Sequence, residues 1–140
     1  MARVLKSEEI RKCMGCFTCQ RVCSAINHQS YSDFESAILV RTLGGISTGM
    51  HYATHCLACT DERACMNACL TGAITARKGG GVVFNQKKCV MCQKCAKACI
   101  INAIYFTGKD TFPIICRHCG VCARYCPHKC LTMEEVPDDQ

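Results

Sequence analysis

Tryptophan is absent from the sequence, and aromatic residues of any kind are few. The 140 residues include five Phe and four Tyr, so an ordinary hydrophobic core would be thin. Long apolar runs are also missing: no stretch approaches the roughly 20 residues of a membrane span, and MARVLKSEEIRKC has no apolar core of signal-peptide length. We therefore expect a cytoplasmic chain without a membrane anchor, with something other than aromatic side chains at its centre.

Cysteine is abundant instead, with 17 thiols. Such a density indicates either a disulfide scaffold or a metal protein. Cytosolic thiol systems reduce disulfides, and an odd number of cysteines cannot pair completely. The composition therefore favours metal ligands. We expect the metal-free chain to be unfolded, because ligand bonds would supply much of the folding free energy.

All but one of the cysteines fall into four groups. Three groups follow C-x2-C-x2-C-x3-C, and the second has five residues between its middle cysteines. Only the fourth group is followed by proline, at Pro127. The groups are Cys13, Cys16, Cys19 and Cys23; Cys56, Cys59, Cys65 and Cys69; Cys89, Cys92, Cys95 and Cys99; and Cys116, Cys119, Cys122 and Cys126.

This spacing favours iron–sulfur clusters over zinc. Zinc sites use two separated cysteine pairs, whereas here one short loop brings three thiols to one corner. The C-x2-C-x2-C-x3-C run before proline is the bacterial ferredoxin pattern, in which the fourth cysteine ligates the other cluster of a pair. A zinc-rich module that binds nucleic acid is the weaker alternative. An enzyme with an open iron is disfavoured because every group has four cysteines and no G-x-G-x-x-G fingerprint is present.

The connections between groups bear on how the groups pair. Groups two and three are close in sequence, whereas a longer connection separates Cys23 from Cys56. The spacing therefore predicts that groups two and three form one ferredoxin unit. Groups one and four would then form a second, split pair around it. Serial pairing, one with two and three with four, stays open on spacing alone. The fold class is small α+β: residues 73–84 predict a hairpin about a glycine turn, residues 103–106 a third strand, and residues 38–41 another.

The formal charge of +6 omits the metal. Each four-iron cluster with four thiolates carries about −2 when oxidised, so four clusters would change +6 to about −2. Lys87, Lys88, Lys94 and Lys97, beside group three, are then interpreted as offsetting cluster charge. No nucleic acid partner is expected. The acidic residues 134–140 predict a mobile tail or a contact with a partner.

With these motifs the chain resembles the four-cluster iron–sulfur subunits of molybdenum and tungsten oxidoreductases, of which dimethyl sulfoxide reductase is one type. The resemblance covers residues 13–130 and is most specific at HCLACTDERACMNACLTGAI, residues 55–74. It implies two dicluster ferredoxin units, one inserted into the other. The outer unit would comprise residues 1–50 and 108–140, and the inner unit residues 51–107.

The resemblance also implies the ligands of four [4Fe-4S] clusters. They are Cys13, Cys16 and Cys19 with Cys126; Cys116, Cys119 and Cys122 with Cys23; Cys56, Cys59 and Cys65 with Cys99; and Cys89, Cys92 and Cys95 with Cys69. The chain itself would be no enzyme. It would relay single electrons between a large pterin-containing catalytic subunit and a flavin subunit or ferredoxin. A free polyferredoxin-type carrier is the alternative, and end-to-end association of copies stays open.

One feature departs from the dimethyl sulfoxide reductase type. Motif four lacks the long internal gap usual there, which favours a tungsten aldehyde oxidoreductase-like partner in an anaerobic, soluble complex. Two further interpretations concern single residues. Cys130 is interpreted as a small buried apolar residue, and His55, His118 and His128 as packing or surface histidines that could alternatively donate a hydrogen bond to cluster sulfur.

Overall fold

The computed structural model describes residues 1–44 and 49–138. In that part of the chain every helix and strand is short, as the predicted α+β class requires. The strands are β1 (Ala2–Lys6), β2 (Leu39–Thr42), β3 (His51–Thr54), β4 (Ile74–Ala76), β5 (Val82–Phe84) and β6 (Thr132–Val136). The helices are α1 (Thr18–His28), α2 (Ala64–Asn67), α3 (Lys94–Ala98) and α4 (Val121–Tyr125).

An antiparallel ribbon of β1 and β6 joins the two ends of the chain, with Ala2 opposite Val136 and Lys6 opposite Thr132. Val4 and Leu5 are buried beneath it. Exposed ion pairs decorate it, such as Lys6 with Glu134 at 3.6 Å, and each contributes little to stability. The expectation of a mobile acidic tail is therefore wrong for residues 134–136, because backbone pairing fixes them. Residues 139 and 140 lie outside the described residues.

The hairpin predicted over residues 73–84 is confirmed: β4 pairs with β5, with Ile74 opposite Phe84. The strand predicted at residues 38–41 is confirmed as β2, which pairs with β3. The third strand predicted at residues 103–106 is wrong, because only Tyr105 makes a bridge, to Ile114.

Cysteines form part of both hydrophobic cores of the described chain. Around Leu5, Ile38 and Val40, the larger core includes four buried cysteines: Cys19, Cys23, Cys116 and Cys122. The smaller core joins Ile74, Val82 and Ile104 to Cys95. Helix α1 packs against α4, and α2 packs against α3. The elements that carry groups one and four are thus neighbours, as are those that carry groups two and three.

The turn of the β4–β5 hairpin rests on the β1–β6 ribbon. A Cβ added to Gly79 would lie 2.3 Å from the Cβ of Ala2, and one added to Gly80 would lie 2.3 Å from the carbonyl oxygen of Ala58. Both glycines have positive φ, so no other residue fits without strain. Arg77 ties the turn to the ribbon through a hydrogen bond to the carbonyl of Arg3 at 2.8 Å. The hairpin turn therefore connects the chain termini to the loop of group two.

Candidate metal centre

The four cysteine groups adopt the same backbone turn. The residue two positions after the first cysteine has a left-handed conformation in each group: Gly15, Ala58, Met91 and His118, with φ of 71°, 57°, 57° and 55°. In groups one, three and four its amide donates back to the sulfur of that first cysteine, with an N–Sγ distance of 3.4 Å. Turning amides toward sulfur in this way produces a concave surface that suits an anionic group.

A short helix follows each turn and fixes the last two thiols of the group. The third cysteine, Cys19, Cys65, Cys95 or Cys122, is the second residue of its helix. The fourth cysteine lies beyond the helix in groups two, three and four, whereas α1 continues through Cys23 to His28. The fourth cysteine therefore lies about one helical turn beyond the third, and its thiol can reach a different group.

Three cavities each bring together three thiols of one group and the fourth thiol of another. Their empty volumes, part of them open to solvent, are about 370, 320 and 310 Å³. We name the sets by their members. Set A is Cys13, Cys16, Cys19 and Cys126; set B is Cys116, Cys119, Cys122 and Cys23; set D is Cys89, Cys92, Cys95 and Cys69.

The remaining four thiols are also neighbours. Burial raises the pKa of Cys56 to about 11, and the nearby Cys59, Cys65 and Cys99 thiolates add to this shift. Burial together with the Cys99 thiolate likewise raises the pKa of Cys65. Set C is accordingly Cys56, Cys59, Cys65 and Cys99. In all four sets the structure therefore brings together the thiols that the resemblance assigns to one cluster.

Crowding makes these thiols difficult to ionise without a bound cation. Burial raises the pKa of Cys19 and of Cys116 to about 12, and neighbouring thiolates contribute in both cases. Four thiolates held this closely would repel one another in a poorly solvated site. A coordinated metal ion removes that difficulty, because it deprotonates the thiol outright and compensates its charge. The donor sets therefore fit a cationic iron core.

The spacing within the sets suits a group larger than one ion. Among residues 1–44 and 49–138, no three His, Cys, Asp or Glu side chains are grouped as a single metal ion would require. Thiols arranged around a cavity, but too far apart for one ion, are the geometry that a multi-iron core needs. Sets A, B and D have this character.

The four sets form a sequence through the molecule. Burial raises the pKa of Cys122 in set B, with further contributions from the thiolates of Cys116 and Cys23 and then from Cys19 of set A. The Cys56 thiolate of set C acts similarly on Cys116 of set B, after burial. Cys65 packs in the same hydrophobic core as Cys95, which joins set C to set D. Set B therefore neighbours both set A and set C, and set C neighbours set D, which is consistent with the order A, B, C, D.

Three buried polar atoms beside the sets have no hydrogen-bond partner among the described residues: Nε2 of His55, Nε2 of His118 and the hydroxyl oxygen of Tyr105. His55 precedes set C, and His118 lies within the loop of set B. Burial raises the pKa of Tyr105, and the Cys23 thiolate adds to that shift. The sequence identified both histidines as candidates. It did not identify Tyr105, because that residue lies in a segment assigned only to a strand.

Cys130 is a fifth cysteine that lines the cavity of set A. It is 2% exposed, and its amide donates to Sγ of Cys126 at 3.4 Å. Burial and the thiolates of Cys126 and Cys13 raise its pKa to about 12, so it carries a proton near neutral pH. This agrees with the interpretation of Cys130 as a small buried residue.

Lysines surround the loop of set D. Lys87, Lys88, Lys94 and Lys97 are exposed, as are Val90 and Cys92 between them. The sequence contains no Asp or Glu between Glu62 and Asp110. Among the described ion pairs, none involves these four lysines. We call the four lysines with Val90 and Cys92 the basic face.

The family comparison bears on group three. Residues 82–105 match the family of 4Fe-4S binding domains. The match includes β5 and the whole of Cys89–Cys99. Group three thus resembles a 4Fe-4S binding domain, and the small mixed α/β fold is compatible with a ferredoxin-like iron–sulfur fold. The other three groups lie outside the matched residues.

Several curated proteins resemble more of the chain. The polyferredoxin-like subunit of the aliphatic sulfonate oxidoreductase of Pyrococcus furiosus is 32% identical over 110 residues, covering 78% of this chain and 61% of that protein. The putative electron transport protein YsaA of Escherichia coli is 28% identical, covering 89% and 87%. The arsenate respiratory reductase iron–sulfur subunit of a Shewanella species is 30% identical, covering 71% and 43%.

The relatives differ in how much of their own length the chain spans. It spans 61% of the Pyrococcus protein and 43% of the Shewanella protein. What those whole proteins act on therefore does not transfer directly. Among the described helices, the longest of which is α1 with 11 residues, none has the length and apolar character to cross a bilayer.

Proposed function

We propose that the chain holds four [4Fe-4S] clusters, one in each of sets A to D, and relays single electrons between two redox partners. The observation that carries the proposal is the convergence of four thiols in each set, with the fourth thiol always supplied by a different group. A bound [4Fe-4S] cluster supplies reversible one-electron chemistry. The chain's own residues hold, bury and separate these groups, and none is proposed to act on a substrate.

The architecture that supports the relay is one dicluster unit inserted into another. Residues 1–50 and 108–140 would hold sets A and B, and residues 51–107 would hold sets C and D. Pairing of β1 with β6 and packing of α1 on α4 support the outer unit. Packing of α2 on α3 supports the inner one. The order A, B, C, D then gives two ends at which partners can approach.

Iron and labile sulfide content test the cluster count. Anaerobically prepared protein should contain about sixteen irons and sixteen labile sulfides per chain, the content of four cubanes. The variant Cys130→Ala should keep that content, because Cys130 belongs to no set. Brown protein with fewer irons would indicate that the chain holds fewer than four clusters. Colourless folded protein without labile sulfide would reject the proposal in favour of zinc.

We propose that one partner is a pterin-containing molybdenum or tungsten subunit, with a tungsten aldehyde oxidoreductase-like protein favoured, and that the other is a flavin subunit or a ferredoxin. The compact fourth motif, Cys116–Cys126, supports the tungsten type. Relatives named as subunits of an aliphatic sulfonate oxidoreductase and an arsenate respiratory reductase support a catalytic partner in general. Anaerobic co-purification, followed by metal analysis of the large subunit, tests this. Recovery of the chain alone would favour a free polyferredoxin-type carrier.

The basic face should control electron exchange at the set D end. Replacing Lys87, Lys88, Lys94 and Lys97 with Gln should slow oxidation of the reduced protein by an anionic cobalt–EDTA complex by about tenfold at low ionic strength, because the steering field is lost. Oxidation by the cationic cobalt tris-phenanthroline complex should not slow. Stopped-flow absorbance measures both rates, and added salt should reduce the difference.

A matched variant separates local from total charge. Replacing Arg11, Arg41, Lys109 and Arg124 with Gln removes the same charge from exposed positions elsewhere. If this variant slows the anionic reaction as much as the lysine variant does, net charge controls the rate and the basic face has no special part in it.

A further inference from the structure

The imidazole of His118 is held in one tautomer by the backbone of β1. His118 is 3% exposed, and its Nδ1 accepts a hydrogen bond from the amide of Leu5 at 3.0 Å. An amide N–H can only donate, so Nδ1 carries no proton. The ring proton is therefore on Nε2. This assignment follows from the partner alone and requires no titration.

The Nε2–H group of His118 lies against the loop of set C, although the residue belongs to the loop of set B. A Cβ added to Gly81 would lie 3.2 Å from Nε2 of His118 and 3.6 Å from Cα of Ala58. Gly81 is itself bonded to that loop, since its amide donates to the carbonyl of Cys59 at 3.0 Å. The buried N–H thus faces the loop of set C, and it has no hydrogen-bond partner among the described protein atoms.

We propose that the Nε2–H of His118 donates a hydrogen bond to a sulfur atom of the group held by set C. This inference rests on the proposed function. A buried donor without an acceptor is destabilising, and a thiolate or sulfide sulfur of the group in set C would be an acceptor on the side that Nε2 faces. The unpartnered Nε2 of His55 is the competing acceptor. Such a bond would stabilise the reduced, more negative form of the group in set C, and it would therefore raise the reduction potential of that group. His118 is then a positioning residue by which the outer unit adjusts the potential of the inner one.

His55 offers an internal control because the other nitrogen of its ring carries the proton. It is 2% exposed, and its Nδ1 lies 2.9 Å from the carbonyl oxygen of Cys56. A carbonyl can only accept, so Nδ1 carries the proton and Nε2 is bare. His55 directly precedes Cys56 of set C and is as buried as His118, but its free nitrogen cannot donate to sulfur.

The test is a potentiometric titration of the four-cluster protein monitored by electron paramagnetic resonance. His118→Asn keeps a short acceptor for Leu5 and suits the left-handed backbone, with φ of 55°, but it lacks the distant donor. It should lower one midpoint potential and leave the other three unchanged. His118→Gln, whose amide reaches the Nε2 position, should restore most of the shift. His55→Asn should leave that potential unchanged.

Wild-type protein provides a second readout that does not depend on the folding of a variant. With [15N]histidine, pulsed resonance of the reduced protein should show coupling to one imidazole nitrogen, assigned to set C because Cys59→Ser alters the same signal. Absence of that coupling, or an unchanged potential in His118→Asn with full iron content, overturns the inference. The inference also fails if His55→Asn shifts the same potential and the variant with both substitutions shows no larger shift than either alone. That result would mean that the two imidazoles form a hydrogen bond with each other. Failure of the proposed function differs, since no cluster signals would be seen.

Discussion

Removing iron from the purified chain should unfold it. The described cores are small, and four of the ten buried members of the larger one are cysteines of sets A and B. Apart from bridges, its sheets are ribbons of two strands, which are marginal alone. Ligand bonds contribute about 10–16 kcal/mol in structural zinc sites, comparable with the whole stability of a domain, about 5–15 kcal/mol. Chelation under reducing conditions should therefore abolish the cooperative thermal transition seen by circular dichroism.

Reconstitution supplies the control for this prediction. Iron and sulfide together should restore the spectrum and the transition. Zinc alone should not, because no three suitable side chains in residues 1–44 and 49–138 are grouped for a single ion. An iron-free chain that kept its dispersed amide spectrum and melted cooperatively would show that the protein core is sufficient, contrary to the argument from its size.

The cysteine groups and the hairpin were predictable because they depend on local sequence. Residues 73–84 contain two β-branched segments about three glycines, and the structure has strands β4 and β5 there. Spacing alone indicated that three thiols of one group would share a site. Which fourth thiol joined them was left open by spacing and came from the resemblance. The structure now brings those thiols together, and their ligation stays a prediction.

The pairing of the chain ends could not be predicted in the same way. Neither Ala2–Lys6 nor Thr132–Val136 has a clear alternating pattern, and their pairing depends on a contact between residues at opposite ends of the sequence. The failed strand at residues 103–106 has a related cause. Its apolar residues Ala103 and Ile104 are buried, but within residues 1–44 and 49–138 the segment pairs only through the bridge from Tyr105 to Ile114. The apolar residues of segment 103–106 correctly indicated that it is buried, but they wrongly indicated that it pairs as a strand.

The roles of the histidines also required the structure. Sequence showed that His55 and His118 adjoin cysteines, which made both equivalent candidates for bonds to sulfur. The backbone partners distinguish them, since Leu5 donates to one ring and Cys56 accepts from the other. Leu5 is remote in sequence from His118, so no local pattern contains this information. The contact depends on the same β1 strand whose pairing was not predicted.

Replacing the fourth cysteine of group three should damage the cluster of group two. Cys99 lies with Cys56 and Cys65, whose pKa values it raises in addition to the effect of burial, and its sulfur accepts from the amide of Ala103 at 3.3 Å. We therefore expect Cys99→Ser and Cys59→Ser to alter the same paramagnetic resonance signal. Cys92→Ser should alter a different one, although Cys92 and Cys99 belong to one group.

The magnitude and the control follow from the same geometry. Cys99→Ala should reduce iron content by about four per chain, the content of one cubane, whereas Cys130→Ala should leave it unchanged, because Cys130 belongs to none of the four groups. If each group held its own cluster, Cys99→Ser would instead alter the signal that Cys92→Ser alters. If pairing were serial, Cys99→Ser would share its signal with Cys119→Ser. Each arrangement thus predicts a different variant whose signal change matches that of Cys99→Ser. The positions of Cys99 and Cys69 support the arrangement in which groups two and three exchange their fourth cysteines.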